Sequence, residues 1–112
     1  YKKMHDKLTV GVEKLIDHAK ADYKRFAERS LNNNESMIKE YNDTIRFKEG
    51  SKYIKVIHGS SVHSFIVKSP NDAKFKYGDI LKAASWRAPA RNFGRGNVID
   101  ETFENVLWTG VA

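Results

Sequence analysis

An α+β fold is predicted: an N-terminal helical hairpin followed by a small antiparallel β-barrel. Three features of the sequence predict it. Apolar residues recur at helical spacing through residues 4–30. From Lys52 the apolar residues cluster instead in short β-branched and aromatic runs. About five such runs follow, broken by turn residues roughly every eight to twelve positions, the habit of a small antiparallel barrel.

The first helix rests on Met4, Leu8, Val12, Leu15, Ala19, Tyr23 and Phe26, spaced 4, 4, 3, 4, 4 and 3 apart and widened by Ile16 and Ala27. That spacing is nearer the 3.6 period of an α-helix than the 3.5 of a coiled-coil heptad. The stripe is therefore expected to cover a core, with self-association of the N-terminal helices (a homo-oligomer) as the alternative. Gly11 is expected to weaken the helix, since glycine in a helix interior costs up to ~1 kcal/mol against alanine. The Asn32-Asn33-Asn34 run ends one helix and starts the next, because asparagine caps helices and tolerates left-handed backbone. A second helix is predicted over Glu35 to Phe47, with Met37, Ile38, Tyr41 and Ile45 on one side. Glu49-Gly50 marks the boundary, giving a helical hairpin over 1–49 and a barrel over 50–112.

In the second half, Tyr53, Ile54, Val56 and Ile57 form one strand and Val62, Phe65, Ile66 and Val67 the next, across a His58-Gly59-Ser60-Ser61 turn. His58 and His63 flank that turn, but two imidazoles make at most half a metal site and nothing nearby offers a third ligand. They are read as strand-end residues, with no metal and no cofactor expected. Ile80 to Ala84 and Asn105 to Val111 supply further strands, and an SH3-like barrel is the nearest architecture for so short a chain.

The net charge is +6, and its distribution says more than its size. Residues 1–49 hold eleven Lys/Arg against nine Asp/Glu, residues 50–98 nine against two, and residues 99–112 none against three. The excess in the middle suits a surface facing polyanions or an acidic protein partner. No apolar run approaches the ~20 residues that cross a bilayer, so no membrane partner is expected and the chain is read as soluble and intracellular. Cysteine is absent, which removes disulfides and thiol chemistry. With Tyr1 in place of an initiator methionine, the chain is expected to be a piece of a longer polypeptide.

The positive charge peaks in residues 84–98, ASWRAPARNFGRGNV, which hold Arg87, Arg91, Arg95, Trp86 and Phe93 and no acid. Arginine presents a rigid fork of donors that fits phosphate oxygens and stacks on bases. Trp86 and Phe93 could serve as stacking platforms or as core and loop supports. Pro89, Gly94 and Gly96 argue for a shaped loop rather than a helix. Lys52, Lys55, Lys68, Lys74, Lys76 and Lys82 extend the positive surface along the strands. The residues expected to contact nucleic acid are Arg87, Arg91, Arg95, Trp86, Phe93, Lys82 and Lys76. An enzyme is not expected: there is no phosphate-binding glycine loop followed by Lys-Ser/Thr, and no nucleophile, base and orienting acid can be assembled locally.

Residues 74–112, KFKYGDILKAASWRAPARNFGRGNVID with a closing LWTGV, resemble small uncharacterised proteins encoded by tailed bacteriophages; with a KYIKV entry and an SFIV strand, the similarity covers about residues 50–112. The resemblance implies a virus-encoded protein acting in the host cytoplasm or in the particle, and it supplies no catalytic residues. The expected function is non-enzymatic binding of DNA or RNA through the basic-aromatic loop. The alternative is a protein-interaction module that binds or inhibits a host or virion protein.

Overall fold

A computed structural model describes residues 2–30 and 35–112, with side chains in the first helix described from Asp6 to Arg29. The expected Asn32-Asn33-Asn34 turn and the Met4 side chain lie outside the described residues. The fold is α+β. Helix α1 (Lys2–Ser30) and helix α2 (Glu35–Thr44) precede strands β1 (Ile45–Glu49), β2 (Tyr53–His58), β3 (Ser61–Val67), β4 (Ile80–Leu81), β5 (Val106–Leu107) and β6 (Gly110–Val111).

The predicted stripe of α1 is the floor of the core. Leu8, Val12, Leu15, Ile16, Ala19, Tyr23 and Ala27 are all buried. They pack with Ile54, Val56, Ile66 and Ile80 on one face of the sheet. The stripe is thus occupied within the chain. At ~1.5 Å per residue the 29 residues of α1 span ~43 Å. This accounts for most of the 46 Å long axis of the molecule.

Gly11 has a role that its helix propensity does not suggest. A Cβ there would stand 2.6 Å from the Val98 carbonyl oxygen and 2.9 Å from Val98 Cβ, so glycine lets the 97–99 turn lie directly on the helix. Alanine would gain up to ~1 kcal/mol of propensity. It would also force backbone apart, at the ~1–3 kcal/mol typical of overpacking. We expect Gly11→Ala to destabilise the protein by about 1 kcal/mol net, read as a lower urea midpoint; a gain in stability would contradict the close approach.

The second helix ends at Thr44, earlier than the predicted Phe47, and β1 follows without a linker. The sequence IRFKE alternates apolar and charged residues, and pairing with β2 in the register Ile45↔His58 to Glu49↔Ile54 overrides helical continuation. Strand β1 therefore continues the sheet on the helical side of the Glu49-Gly50 boundary.

Strands β1 to β4 form one antiparallel sheet in the order β1-β2-β3-β4, and β5 and β6 form a separate two-stranded ribbon. No closed barrel is found among the described residues, so the expected SH3-like barrel is not confirmed. The physical reason lies in the closing segments. Strands β4, β5 and β6 are two residues each. Between β4 and β5 the chain is joined only by isolated bridges, Asp79↔Asn97, Ala83↔Pro89 and Asn97↔Thr102. Pro89 and the positive-φ Gly96 there break regular pairing, and α1 covers the sheet face that further strands would otherwise enclose.

Register sorts the sheet into two faces. Ile54, Ile66 and Ile80 are cross-strand partners on the helix-covered face. Lys48, Lys55, Phe65 and Leu81 form the neighbouring row, which points the other way. On that second face Phe65, Val67, Phe75 and Leu81 make a smaller cluster with Tyr53, Val62 and Ala83.

The C-terminal ribbon is tied down by two polar links. Tyr41 donates its hydroxyl to the Trp108 carbonyl (2.7 Å), and the Trp108 N–H donates to Asp22 (2.9 Å). His63 is buried in β3 with Nε2 at 2.7 Å from the Leu107 carbonyl and Nδ1 at 3.0 Å from the Ser64 hydroxyl. A carbonyl only accepts, so Nε2 carries the proton, and burial pushes the imidazole pKa below its ordinary value. The His58 ring lies tilted against Tyr41, their centres 4.3 Å apart. Among the described residues no group of three or more His, Asp or Glu side chains could hold a metal ion.

Candidate nucleic-acid interface

The loop from β3 to β4 and the first part of the long connection after β4 lie on the second face of the sheet, and their internal contacts decide which cations remain outward. Asp72 organises the first part. Its carboxylate accepts the N–H groups of Lys74 and Phe75 and the Arg91 guanidinium at 2.8 Å. The Arg91 contact and the two amides hold its pKa well below the usual carboxylate range. Arg91 also donates to the Tyr53 hydroxyl at 2.6 Å and lies 4.9 Å over the Phe75 ring. Arg91 is thus a clasp between loop and sheet, with its fork occupied.

Three more of the predicted contact residues are drawn away from a common surface. Lys76 forms an ion pair with Asp100 at 2.7 Å, and that hydrogen bond raises its pKa. Arg95 is only 7% exposed, with its guanidinium 3.9 Å from the centre of the Phe93 ring. Lys82 is exposed on a different depression, beside His63, Leu107 and Ala112.

Trp86 and Arg87 stay together and point outward. The Ala90 N–H donates to the Lys82 carbonyl at 2.7 Å, and those of Ala84 and Ser85 donate to the Ala88 carbonyl at 3.0 Å. The Ser85 hydroxyl accepts the N–H groups of Arg87 and Ala88 at 3.3 and 3.2 Å. These bonds close a tight turn whose tip is Trp86-Arg87, a local structure that serine at its start promotes.

The tip leans toward the β1–β2 edge of the sheet. Lys55 places its ammonium 4.5 Å from the centre of the Trp86 ring, a cation–π contact, while Trp86 remains 48% exposed. A groove of about 330 Å³ runs here, lined by Lys48, Lys52, Lys55 and Arg87 together with Tyr53 and Phe65. Glu49 is the one acid on its wall, and Lys68 lies 3.6 Å from that carboxylate. None of Lys48, Lys52, Lys55 and Arg87 forms an ion pair among the described residues. Four cations without an ion pair in one groove, with the Trp86 plane beside it, can neutralise a run of anionic groups and stack a flat ring.

Of the seven predicted contact residues, the structure brings Arg87 into this groove, sets Trp86 beside it against Lys55, and leaves Arg91, Arg95, Phe93, Lys76 and Lys82 away from it. Lys52 and Lys55, expected as extensions of the positive surface, line it. Lys48 and Tyr53 were not singled out as contacts. The alternation of Ile45, Arg46, Phe47 and Lys48 was the available signal, since it places Arg46 and Lys48 on one face of a strand.

Comparison with curated proteins and with solved structures finds no match. The profile of one protein family does match, over residues 2–111, and that is nearly the whole chain: the chain belongs to the family of unknown function DUF7717.

Proposed function

We propose that the chain is a non-enzymatic, phage-encoded binding protein that contacts nucleic acid through the groove between the β1–β2 edge and the Trp86-Arg87 tip. The observation that carries this reading is the convergence of Lys48, Lys52, Lys55 and Arg87, unpaired among the described residues, beside the outward Trp86 ring. In this account the four cations contact phosphates and Trp86 stacks a base on the side away from Lys55. Arg91, bonded to Asp72 and Tyr53, holds the loop that presents the tip. The phage origin and action in the host cytoplasm rest on the resemblance of residues 50–112.

The test is binding to single- and double-stranded DNA and RNA at two salt concentrations. Each single-strand phosphate contact contributes ~0.7 to the salt slope, so four predict an affinity loss of about 50-fold between 50 and 200 mM salt. The variant Lys48→Ala/Lys52→Ala/Lys55→Ala/Arg87→Ala is expected to flatten that slope to near zero, while Lys76→Ala and Lys82→Ala leave it unchanged. Absence of binding at low salt would contradict the proposal.

A protein partner is the second reading, and the position of β1 favours it. This strand pairs with β2 alone, and Phe47 is exposed on it, so a host or virion segment could add to the edge. A pull-down that recovers one stoichiometric protein, with no nucleic acid bound, would favour this reading.

A further inference from the structure

We propose that Arg95 is the centre of a second anion site, closed over by Phe93 and built to take a phosphate group. Its side chain is only 7% exposed, and its Nε and Nη1 are buried with no hydrogen-bond partner among the described residues. Arginine does not deprotonate in proteins, so the charge is present whatever the pH. A buried cation without an anion or a set of acceptors is costly, and native structures rarely leave one so. The carboxylate that lies near this segment is committed elsewhere: Asp79 accepts from Asn97 Nδ2 at 2.9 Å through one oxygen and from the Lys76 N–H at 2.9 Å through the other.

What covers the guanidinium is the Phe93 ring, 3.9 Å away and itself 56% exposed. The π-face attracts the positive charge but offers no acceptor to the N–H groups that lie in the guanidinium plane. An exposed aromatic over a buried cation is a cover that can rotate outward at little cost in apolar burial. Side-on, Nε–H and the Nη2–H beside it present two parallel donors, the geometry that binds two oxygens of one oxyanion, and Nη1–H leaves a further unmet donor on the other edge. The ligand class is therefore a phosphate, free or carried by a nucleotide. This site does not depend on the groove, since neither Arg95 nor Phe93 lines it.

The experiment is thermal unfolding at constant ionic strength, set with sodium chloride, in rising inorganic phosphate, uridine monophosphate or acetate. Wild type is expected to gain stability with phosphate, and to a lesser degree with acetate. Uridine monophosphate acting equally well would show that the site accepts a nucleotide phosphate; acting not at all, it would restrict the site to the free ion. Arg95→Met, which keeps the length of the side chain and removes its charge, is expected to unfold roughly 4 °C or more higher without ligand and to lose the phosphate response. Phe93→Ala is expected to tighten apparent phosphate affinity roughly threefold or more, because the ring no longer competes for the cation. An equal phosphate response in wild type and Arg95→Met, an acetate response equal to phosphate, or no tightening in Phe93→Ala would each overturn the proposal. The last of these reads out even if Arg95→Met does not fold.

Discussion

Asn97→Ala is expected to destabilise the protein by about 3 kcal/mol. Asn97 is buried, and its side chain is saturated. Its Nδ2 donates to the Tyr77 carbonyl at 3.0 Å and to Asp79 at 2.9 Å. Its Oδ1 accepts the N–H groups of Ile99 at 2.7 Å and Asp100 at 2.9 Å. Truncation leaves two acceptors and two donors without their partner. Each such group costs ~1–3 kcal/mol where water cannot replace the bond, and the two amides at the turn surface recover part of that through solvent. Asn97→Asp is expected to be no better, because it removes both donors and sets a carboxylate against Asp79. Urea unfolding followed by Trp fluorescence reads the effect; a loss below about 1 kcal/mol would mean that the network is replaceable.

Gly96→Ala is expected to cost a similar amount, about 3 kcal/mol, for a different reason. Gly96 has φ +136°, a region that side chains other than glycine rarely adopt. A Cβ there would stand 2.3 Å from the Thr102 carbonyl oxygen and 3.3 Å from Ile80 Cδ1. Backbone strain of ~1–3 kcal/mol adds to an overpacking cost of the same order, and the obstructing atom is backbone that cannot swing aside. Gly94, two residues earlier, is the control. The nearest atom to its Cβ position is 3.8 Å away, so Gly94→Ala is expected to change stability by no more than ~0.5 kcal/mol. Equal losses at the two positions would point to a general intolerance of the loop rather than to the Thr102 contact.

Together these residues lock the GDILKAA and RGN segments to one another. Gly78 has φ +88°, and a Cβ there would meet Ile99 at 2.7 Å. Gly78-Asp79 and Gly96-Asn97 interlock: the Val98 N–H donates to the Gly78 carbonyl at 2.9 Å, and the Ile80 N–H to the Gly96 carbonyl at 2.8 Å. The turn so formed rests on Gly11 of α1. Much of this segment is thus engaged in packing, and its Trp86-Arg87 tip borders the proposed groove.

The elements legible in the sequence are those with local signals. The α1 stripe, read from spacing alone, is the buried face of the helix. The β2 and β3 runs, read as 53–57 and 62–67, are strands at Tyr53–His58 and Ser61–Val67. Where pairing partners are distant in sequence the reading is incomplete. The residues of β1 look helical by continuity with Tyr41, and only their pairing with β2 makes them a strand. The three arginines fall at equal spacing, which suggests equivalent roles. Their fates diverge because Arg91 meets Tyr53 and Asp72, 38 and 19 residues away, Arg95 turns under Phe93, and Arg87 is held out by the Ser85 turn. The aromatics divide in a way that local sequence does not foretell. Tyr23, Tyr41 and Trp108 gather within 4.5–6.3 Å of one another at the helix–ribbon junction, whereas Trp86 and Phe93 stay largely outside.

The central claim, that nucleic acid lies in the β1–β2 groove against the Trp86 ring, is tested most directly by photocrosslinking. A 5-iodouridine-substituted oligonucleotide bound to the full chain at low salt is irradiated and the attached peptide is mapped. The account predicts attachment at Trp86 or Tyr53, lost in Trp86→Ala and reduced by added salt. Attachment confined to the 74–82 segment or to α1, with Trp86→Ala unaffected, would contradict it.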